Sequence, residues 1–582
     1  MKERAELHED GDSGTEAWDE SASAENGRPL TRAKLLAGAA GAGLAAGVLP
    51  GVAGARSWTP QARNKALGTG LAPGMIGGPT GFKGAARYQY PANSEEGRAI
   101  TALKAMKRAG NAPDELVVQA LDFARPQLES PFPKGALSTV KLFEKETGIK
   151  IRFVETSPAQ EYQTNLRNAS TKNKSFDLVT FAIEEMGDFA EAGLIRPLDD
   201  YVRKYKPSWN DPKFGYAGGA STVTLFTKYK GRTYAVAFDN DTQPHFYRSD
   251  VFSNPREKGN FEDKYGHELR PPLTWNEHRE VAEFFTRPNA KPPLYGDVMT
   301  YAPFWSVVNF NERFVCSGNP NMYYFKDDGS ANVNNDAGVR AFEEILRNLQ
   351  YHGPGSLQKD WLGTYQLFGA GSAVMNSTFP NMSKILPGSK QLDTANVGRF
   401  IRSDVTPGRV VGGRLIRRPV IFYNITYGVN AYVDKKRQEA AYLFLQWAGG
   451  ARIYTWLTFN PNGYQDPHHT YSFEDPYVAQ SYGPQSLGAF AQIVPRSAPP
   501  ITIRGGSEYR QSVSDLMQKV LTKQINPEQA AKQLSDAWNK TTNRLGQANQ
   551  AAAWKTLKTA FPTVTDKPNQ SLKIKPVSTR VR

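Results

Sequence analysis

Between residues 115 and 193 the chain alternates strand and helix three times, and this constrains the fold more than any other feature. Residues 116–123, 150–155 and 176–183 are apolar runs of strand length, and 134–147, 159–171 and 184–192 carry helical spacing between them. In the first helix Leu137, Val140, Leu142 and Phe143 form one stripe, and Gly148 stands where a left-handed residue would end it. Strands joined by helices of this length return by crossovers, so the expected sheet is largely parallel. Ligands of such sheets sit beyond the carboxyl ends of the strands. Here those ends offer Asp122 and Phe123, then Phe181 to Glu185, and then the cluster Asp239, Asn240 and Asp241 after a further strand at 233–238.

That further strand alternates Thr233, Ala235 and Ala237 with Tyr234, Val236 and Phe238, then breaks at three short polar residues that favour turns. Carboxylates at such a point can accept hydrogen bonds from ligand hydroxyls, and the aromatics around them offer flat apolar faces. Taken alone, the same residues also read as a capped turn on a solvated rim. Their convergence with two other strand ends favours a ligand site.

The first 55 residues differ from this body. An acidic, Ser- and Gly-rich lead runs into Arg28, Arg32 and Lys34, and residues 35–55 then carry no charge and close on Ala53-Gly54-Ala55. That order reads as an export signal, cleaved after Ala55, with too little apolar area per residue to hold a membrane span. Thr31-Arg32-Ala33-Lys34-Leu35-Leu36 resembles the twin-arginine export motif with Ala33 in place of the second arginine. The lone Cys316 excludes an internal disulfide and a lipid-bearing cysteine at the signal. A net charge of +14 could attract nucleic acid, but the basic residues are scattered and form no nucleic-acid module, so none is expected as a partner.

Six further runs carry a resemblance. Residues 141–153, 176–182 with 190–198, 273–277, 325–333, 368–375, and 427–433 followed by 435–448 resemble, in this order, extracellular solute-binding proteins of the maltose-binding type. The resemblance covers roughly residues 113–545. It implies an α/β fold of two lobes, the periplasmic-binding-protein-like fold of type II, joined by crossing strands. By the same resemblance residues 113–241 with 395–460 form lobe one, and 242–394 with 461–545 form lobe two. Residues 56–112 are then a linker or arm and 546–582 a basic extended tail. The implied function is capture of a small carbohydrate or polyol by hinge closure, for delivery to an ABC permease, by an exported monomer that is periplasmic or held at the cell surface. No catalysis, metal or cofactor is implied. Two other readings remain open: a secreted carbohydrate-active hydrolase using two carboxylates, and an accessory sensor of a membrane receptor.

Sugars and polyols present hydroxyl rims and C–H faces, which call for acids, amides and aromatic planes. Lobe one offers Asp122, Phe181, Glu184, Asp239, Asn240 and Asp241. Lobe two offers Tyr301, Phe304 and Trp305 ahead of a helix, and Phe379 just after the strand at 373–375. Asn424 and Tyr427 lie at the returning strand, and Tyr464 follows a Pro-Asn-Gly turn. The run Asp466-Pro467-His468-His469 reads as a solvated turn, because its histidines lack the spacing of metal ligands.

Overall fold

The computed structural model describes residues 70–461, 463–570 and 572–580. The expected export signal, and residues 56–69 of the arm, lie outside the described residues. The strands of the two large sheets are, in chain order, β1 (Glu115–Leu121), β2 (Lys150–Thr156), β3 (Leu178–Ala182), β4 (Ala235–Ala237), β5 (His245–Arg248), β6 (Tyr295–Val298), β7 (Ala373–Ser377), β8 (Ile401–Asp404) and β9 (Ile425–Val429).

The first sheet runs β2-β1-β3-β9-β4. β1 pairs in parallel with β2 and β3, while β9 lies antiparallel between β3 and β4. β3 and β9 are buried along their whole length, which their apolar residues allow. β2, at the edge, keeps Lys150 exposed and Ile151 buried; charge on an edge strand discourages pairing with another chain. The second sheet runs β8-β5-β7-β6 and is antiparallel except for β6 with β7. A largely parallel sheet is therefore found only among β1, β2 and β3.

Local chemistry shifts several expected boundaries. The first helix begins at Thr139 rather than 134, because the Ser138 side chain accepts the Lys141 amide at 3.2 Å and caps it there. Leu137 is left outside the stripe and is 41% exposed. The strand expected at 233–238 splits at Tyr234: Arg232–Thr233 pairs with Lys228–Tyr229, and only Ala235–Ala237 joins the large sheet.

The chain leaves the first sheet through residues 238–244 and returns between Asp404 and Ile425. β8 still pairs with β5 in the second sheet, so the return lies beyond the position 395 expected from sequence. A third crossing at 497–503 runs beside these two. Phe422 N donates to Asp241 O at 3.2 Å, Ala498 N to Pro419 O at 2.8 Å, and Ile421 N to Ala498 O at 3.2 Å. Three backbone segments thus form a narrow strip between two bodies, the arrangement of a hinge.

The arm is pinned to the first body. Its helix Glu95–Arg108 packs on helix Lys435–Ala448. Glu95 accepts the amides of Ser208 and Ala451 at 2.7 and 3.0 Å, the latter at the start of helix Ala451–Thr458, where a carboxylate is favoured. The expected extended tail is instead helical over Gln547–Lys558, with Trp554 buried against Phe325 and Phe561. A single buried tryptophan outweighs the weak apolar periodicity that made this segment read as tail.

Candidate functional site

A crevice lies between the two bodies at the carboxyl ends of β1, β4 and β7. It is lined by Phe123, Pro158, Asp239, Asp241, Trp305, Trp361, Phe379, Asn381, Ile385, Tyr423, Ile425 and Tyr464. Each wall follows from strand geometry. Phe123 comes two residues after β1, Asp239 and Asp241 follow β4, Phe379 and Asn381 follow β7, and Tyr423 precedes the antiparallel β9. This is the edge at which α/β sheets place ligands.

The rings meet edge to face. Phe123 and Tyr464 are 5.3 Å apart at 85°, and Phe379 lies 6.0 Å from Trp305 and 6.4 Å from Trp361. Trp305 also approaches Tyr423 at 5.7 Å, which joins a ring of the second body to one at the crossing strip. The Asn381 amide donates to the Tyr464 carbonyl at 3.2 Å and accepts from the Tyr365 hydroxyl at 2.6 Å. The bodies therefore already touch around the crevice.

Two bulky residues here have left-handed backbone, Phe304 at φ 70 and Tyr423 at φ 59. Such conformations cost about 1–3 kcal/mol each and persist only where the surroundings hold them. Phe304 N donates to Ser514 Oγ at 2.7 Å. Tyr423 N donates to Glu184 Oε1 at 3.0 Å, and its hydroxyl to Glu161 Oε2 at 3.2 Å. Arg510 completes the clamp, 3.3 Å from Glu185, 4.0 Å from Glu184 and 4.5 Å above the Phe304 ring.

The floor is acidic. Oxygens of Asp239, Asp241 and Asp466 lie within 4.8 Å of one another, and all three residues are buried. Asp239 Oδ1 accepts the amides of Asn240 and Asp466, both at 2.8 Å. Asp466 Oδ1 accepts the Tyr482 hydroxyl at 2.8 Å, while its second oxygen has no partner. Behind them the buried Lys384 ammonium donates to the carbonyls of Thr458 and Gln465 at 3.0 and 2.7 Å. Burial raises the Asp239 carboxyl to about 7, against the hydrogen bonds from Asp466 and Asn240 that favour its charge. Asp241 is pushed up by burial and then by the charges of Asp239, Asp466 and Glu184. Asp466 is raised by burial and by Asp239, with Lys384 opposing. Lys384 is lowered to about 8 by burial, against the pull of Asp466 and Asp239.

Of the residues expected from sequence, Asp239, Asp241, Trp305, Phe379 and Tyr464 line this crevice. Asn240 and Asn424 support it from behind: Asn240 donates to the Pro467 carbonyl at 2.6 Å, and the Asn424 amide oxygen accepts Asp241 N at 2.9 Å. Glu184 holds the Tyr423 backbone. The remaining four lie elsewhere. Asp122 is exposed and caps the Phe123 amide, Phe181 is core against Phe189, and Tyr427 is core against Phe238. Tyr301 is buried in the second body, its hydroxyl 2.9 Å from His352 Nε2.

Sequence reading missed Trp361, Asn381, Tyr423, Lys384 and Asp466, and placed Phe123 at the ligand edge without choosing it as a contact. Phe123 adjoins the chosen Asp122, and neighbouring residues at a strand end face opposite ways. The run 466–469 is no solvated turn: Asp466, His468 and His469 are all buried, and His469 sits between the carbonyls of Phe214 and Gly449 at 2.9 Å.

Comparison with known proteins places this architecture. The family model described as bacterial extracellular solute-binding protein matches residues 125–453. A maltotriose-binding protein of Pyrococcus abyssi is 26% identical over 134 residues, 22% of this chain; the match spans only 23% of that relative. Among solved structures, a solute-binding protein of Agrobacterium radiobacter K84 in complex with ribitol superposes with a TM-score of 0.59 at 18% identity, covering 73% of this chain and 98% of the other. A maltose-bound protein of T. maritima gives 0.58 at 15% identity, over 73% and 99%. One from Agrobacterium vitis S4 with bound D-mannitol gives 0.56 at 16%, over 74% and 99%. The two-lobe fold of type II expected from sequence is the fold these structures share.

Proposed function

Because the chain belongs to the family of bacterial extracellular solute-binding proteins, we propose that it captures a small carbohydrate or polyol in the crevice between its lobes and presents the closed form to an ABC permease. The observation that carries this reading is the composition of one crevice from both bodies: Asp239, Asp241 and Phe123 from the side of the first sheet, Trp305, Trp361 and Phe379 from the second. Contacts made by both bodies at once favour closure, and a closed form is what a membrane partner can distinguish from the free protein. The ribitol, mannitol and maltose held by the structural neighbours supply the ligand class. The leader read in the sequence suits a protein that works outside the cytoplasm, periplasmic or at the cell surface. Among the described residues no helix is long and apolar enough to cross a membrane.

A thermal-shift screen against sugars and polyols tests the reading, since a ligand bound by the native state alone raises the melting temperature. Trp305→Ala removes a half-buried ring from the crevice wall and is expected to weaken the best hit by about 1–3 kcal/mol with little loss of stability. Unchanged affinity in this variant, with the fold intact, would place the ligand elsewhere. Release of product from the bound sugar would favour a hydrolase instead.

A further inference from the structure

The charge on the crevice floor narrows the ligand further. We infer that the solute carries a protonated amine, an amino sugar or related amino polyol, whose ammonium group sits against Asp239 and Asp241; this rests on the carbohydrate reading above. Among the described residues, three buried carboxylates within 4.8 Å have one lysine behind them, Lys384, and Asp239 and Asp241 open onto the crevice. A neutral polyol would leave the acid pair holding its proton, whereas an ammonium group brings three donors and a positive charge that let both acids ionise.

A second observation is independent of the acids. The Tyr464 hydroxyl belongs to a wall residue only 7% exposed, and it has no hydrogen-bond partner. A buried hydroxyl of this kind is costly unless something meets it. The rings of Phe123, Trp305 and Phe379 complete a surface that suits a cation flanked by C–H faces. A bare divalent ion fits less well. Such ions take about six to eight oxygens, while these walls are mostly aromatic and Lys384 already sets a positive charge behind Asp466.

The groups facing the acid pair fix the pH dependence. They are Glu184 after β3, Asn424 on the returning crossing, Tyr365 on helix Trp361–Gly369, Lys384 on helix Met382–Gly388, Tyr454 on helix Ala451–Thr458, Tyr464 and Asp466, and Tyr482 on helix Pro476–Tyr482. Asp239 and Asp241 are buried with oxygens within 4.8 Å, so the two do not ionise together cheaply and one keeps a proton while no cation is bound. An arriving ammonium ion takes its place, and the proton leaves to solvent. Amine affinity therefore rises as the pH climbs through about 7, where Asp239 gives up its proton more readily.

The test titrates the full chain by calorimetry with matched pairs: glucosamine against glucose, glucosaminyl-glucosamine against cellobiose, and calcium chloride alone. Near neutral pH the amine member of a pair is expected to bind at least about tenfold more tightly, in line with a charge-assisted hydrogen bond. Asp241→Asn, checked for folding by circular dichroism, should abolish that preference. Equal or tighter binding of the neutral member overturns the amine inference and leaves the carbohydrate reading standing. A response to calcium without any sugar response reassigns the acids to a metal. Binding by neither set at millimolar concentration removes both readings.

Discussion

Asp241→Asn should stabilise the unliganded protein, and only where the wild-type acids are forced to ionise. Two like charges no more than 4.8 Å apart repel by at least about 3 kcal/mol at an effective dielectric constant of about 20. The folded chain avoids that repulsion by keeping protons. Raising Asp239 from 3.8 to about 7 corresponds to about 4 kcal/mol. The sign follows from proton counting. Below pH 4 or so both folded and unfolded chains hold these protons; between about 4 and 7 only the folded chain does, so stability falls as the pH rises. Asparagine removes the acid that Asp239, Asp466 and Glu184 all repel, and its size matches that of a protonated aspartate. We expect the variant to equal the wild type within about 1 kcal/mol near pH 5 and to exceed it by about 2–4 kcal/mol near pH 8. Urea unfolding followed by tryptophan fluorescence at both pH values measures this. Parallel pH profiles for the two proteins would show that the three acids do not interact as described.

Two further substitutions probe the frame. Arg510→Met strands Glu184 and Glu185 in the interior and should cost about 3–5 kcal/mol near pH 8. The loss should shrink as the pH falls through about 7, where burial lets Glu185 take a proton; a loss independent of pH would mean that packing against Phe304 alone is at stake. Trp554→Ala in the carboxyl-terminal helix should cost about 3–5 kcal/mol by thermal or urea unfolding. An unchanged midpoint would make that helix a dispensable appendage.

The legible parts of the sequence were those with short-range rules. Strand and helix alternation found β1, β2 and β3, because periodicity reports a buried face directly. Asp239 and Asp241 were legible because they end a strand. Phe181 and Tyr427 were misjudged for a related reason: a residue on a strand buried on both faces looks the same whether its ring meets a ligand or a neighbouring ring. Asp466 was illegible, since only the fold brings it beside residues more than two hundred positions earlier. The helix from Gln547 was hidden because its burial depends on Phe325 and Phe561, which local spacing does not reveal.

Where the acids sit matters as much as what they bind. Asp239 and Asp241 lie on the first crossing, and the Asp241 backbone is tied on both sides to the returning one, through Phe422 N and the Asn424 side chain. The neighbouring residue of that returning segment, Tyr423, is held in a left-handed conformation by Glu184 and Glu161, and its ring touches Trp305 of the second body. A charge placed on the acid pair is therefore felt first by the strip about which the bodies move, not by a distant wall. On the amine reading proposed above, a ligand that displaces the proton of the acid pair would act on that strip directly, coupling affinity to shape without a separate relay.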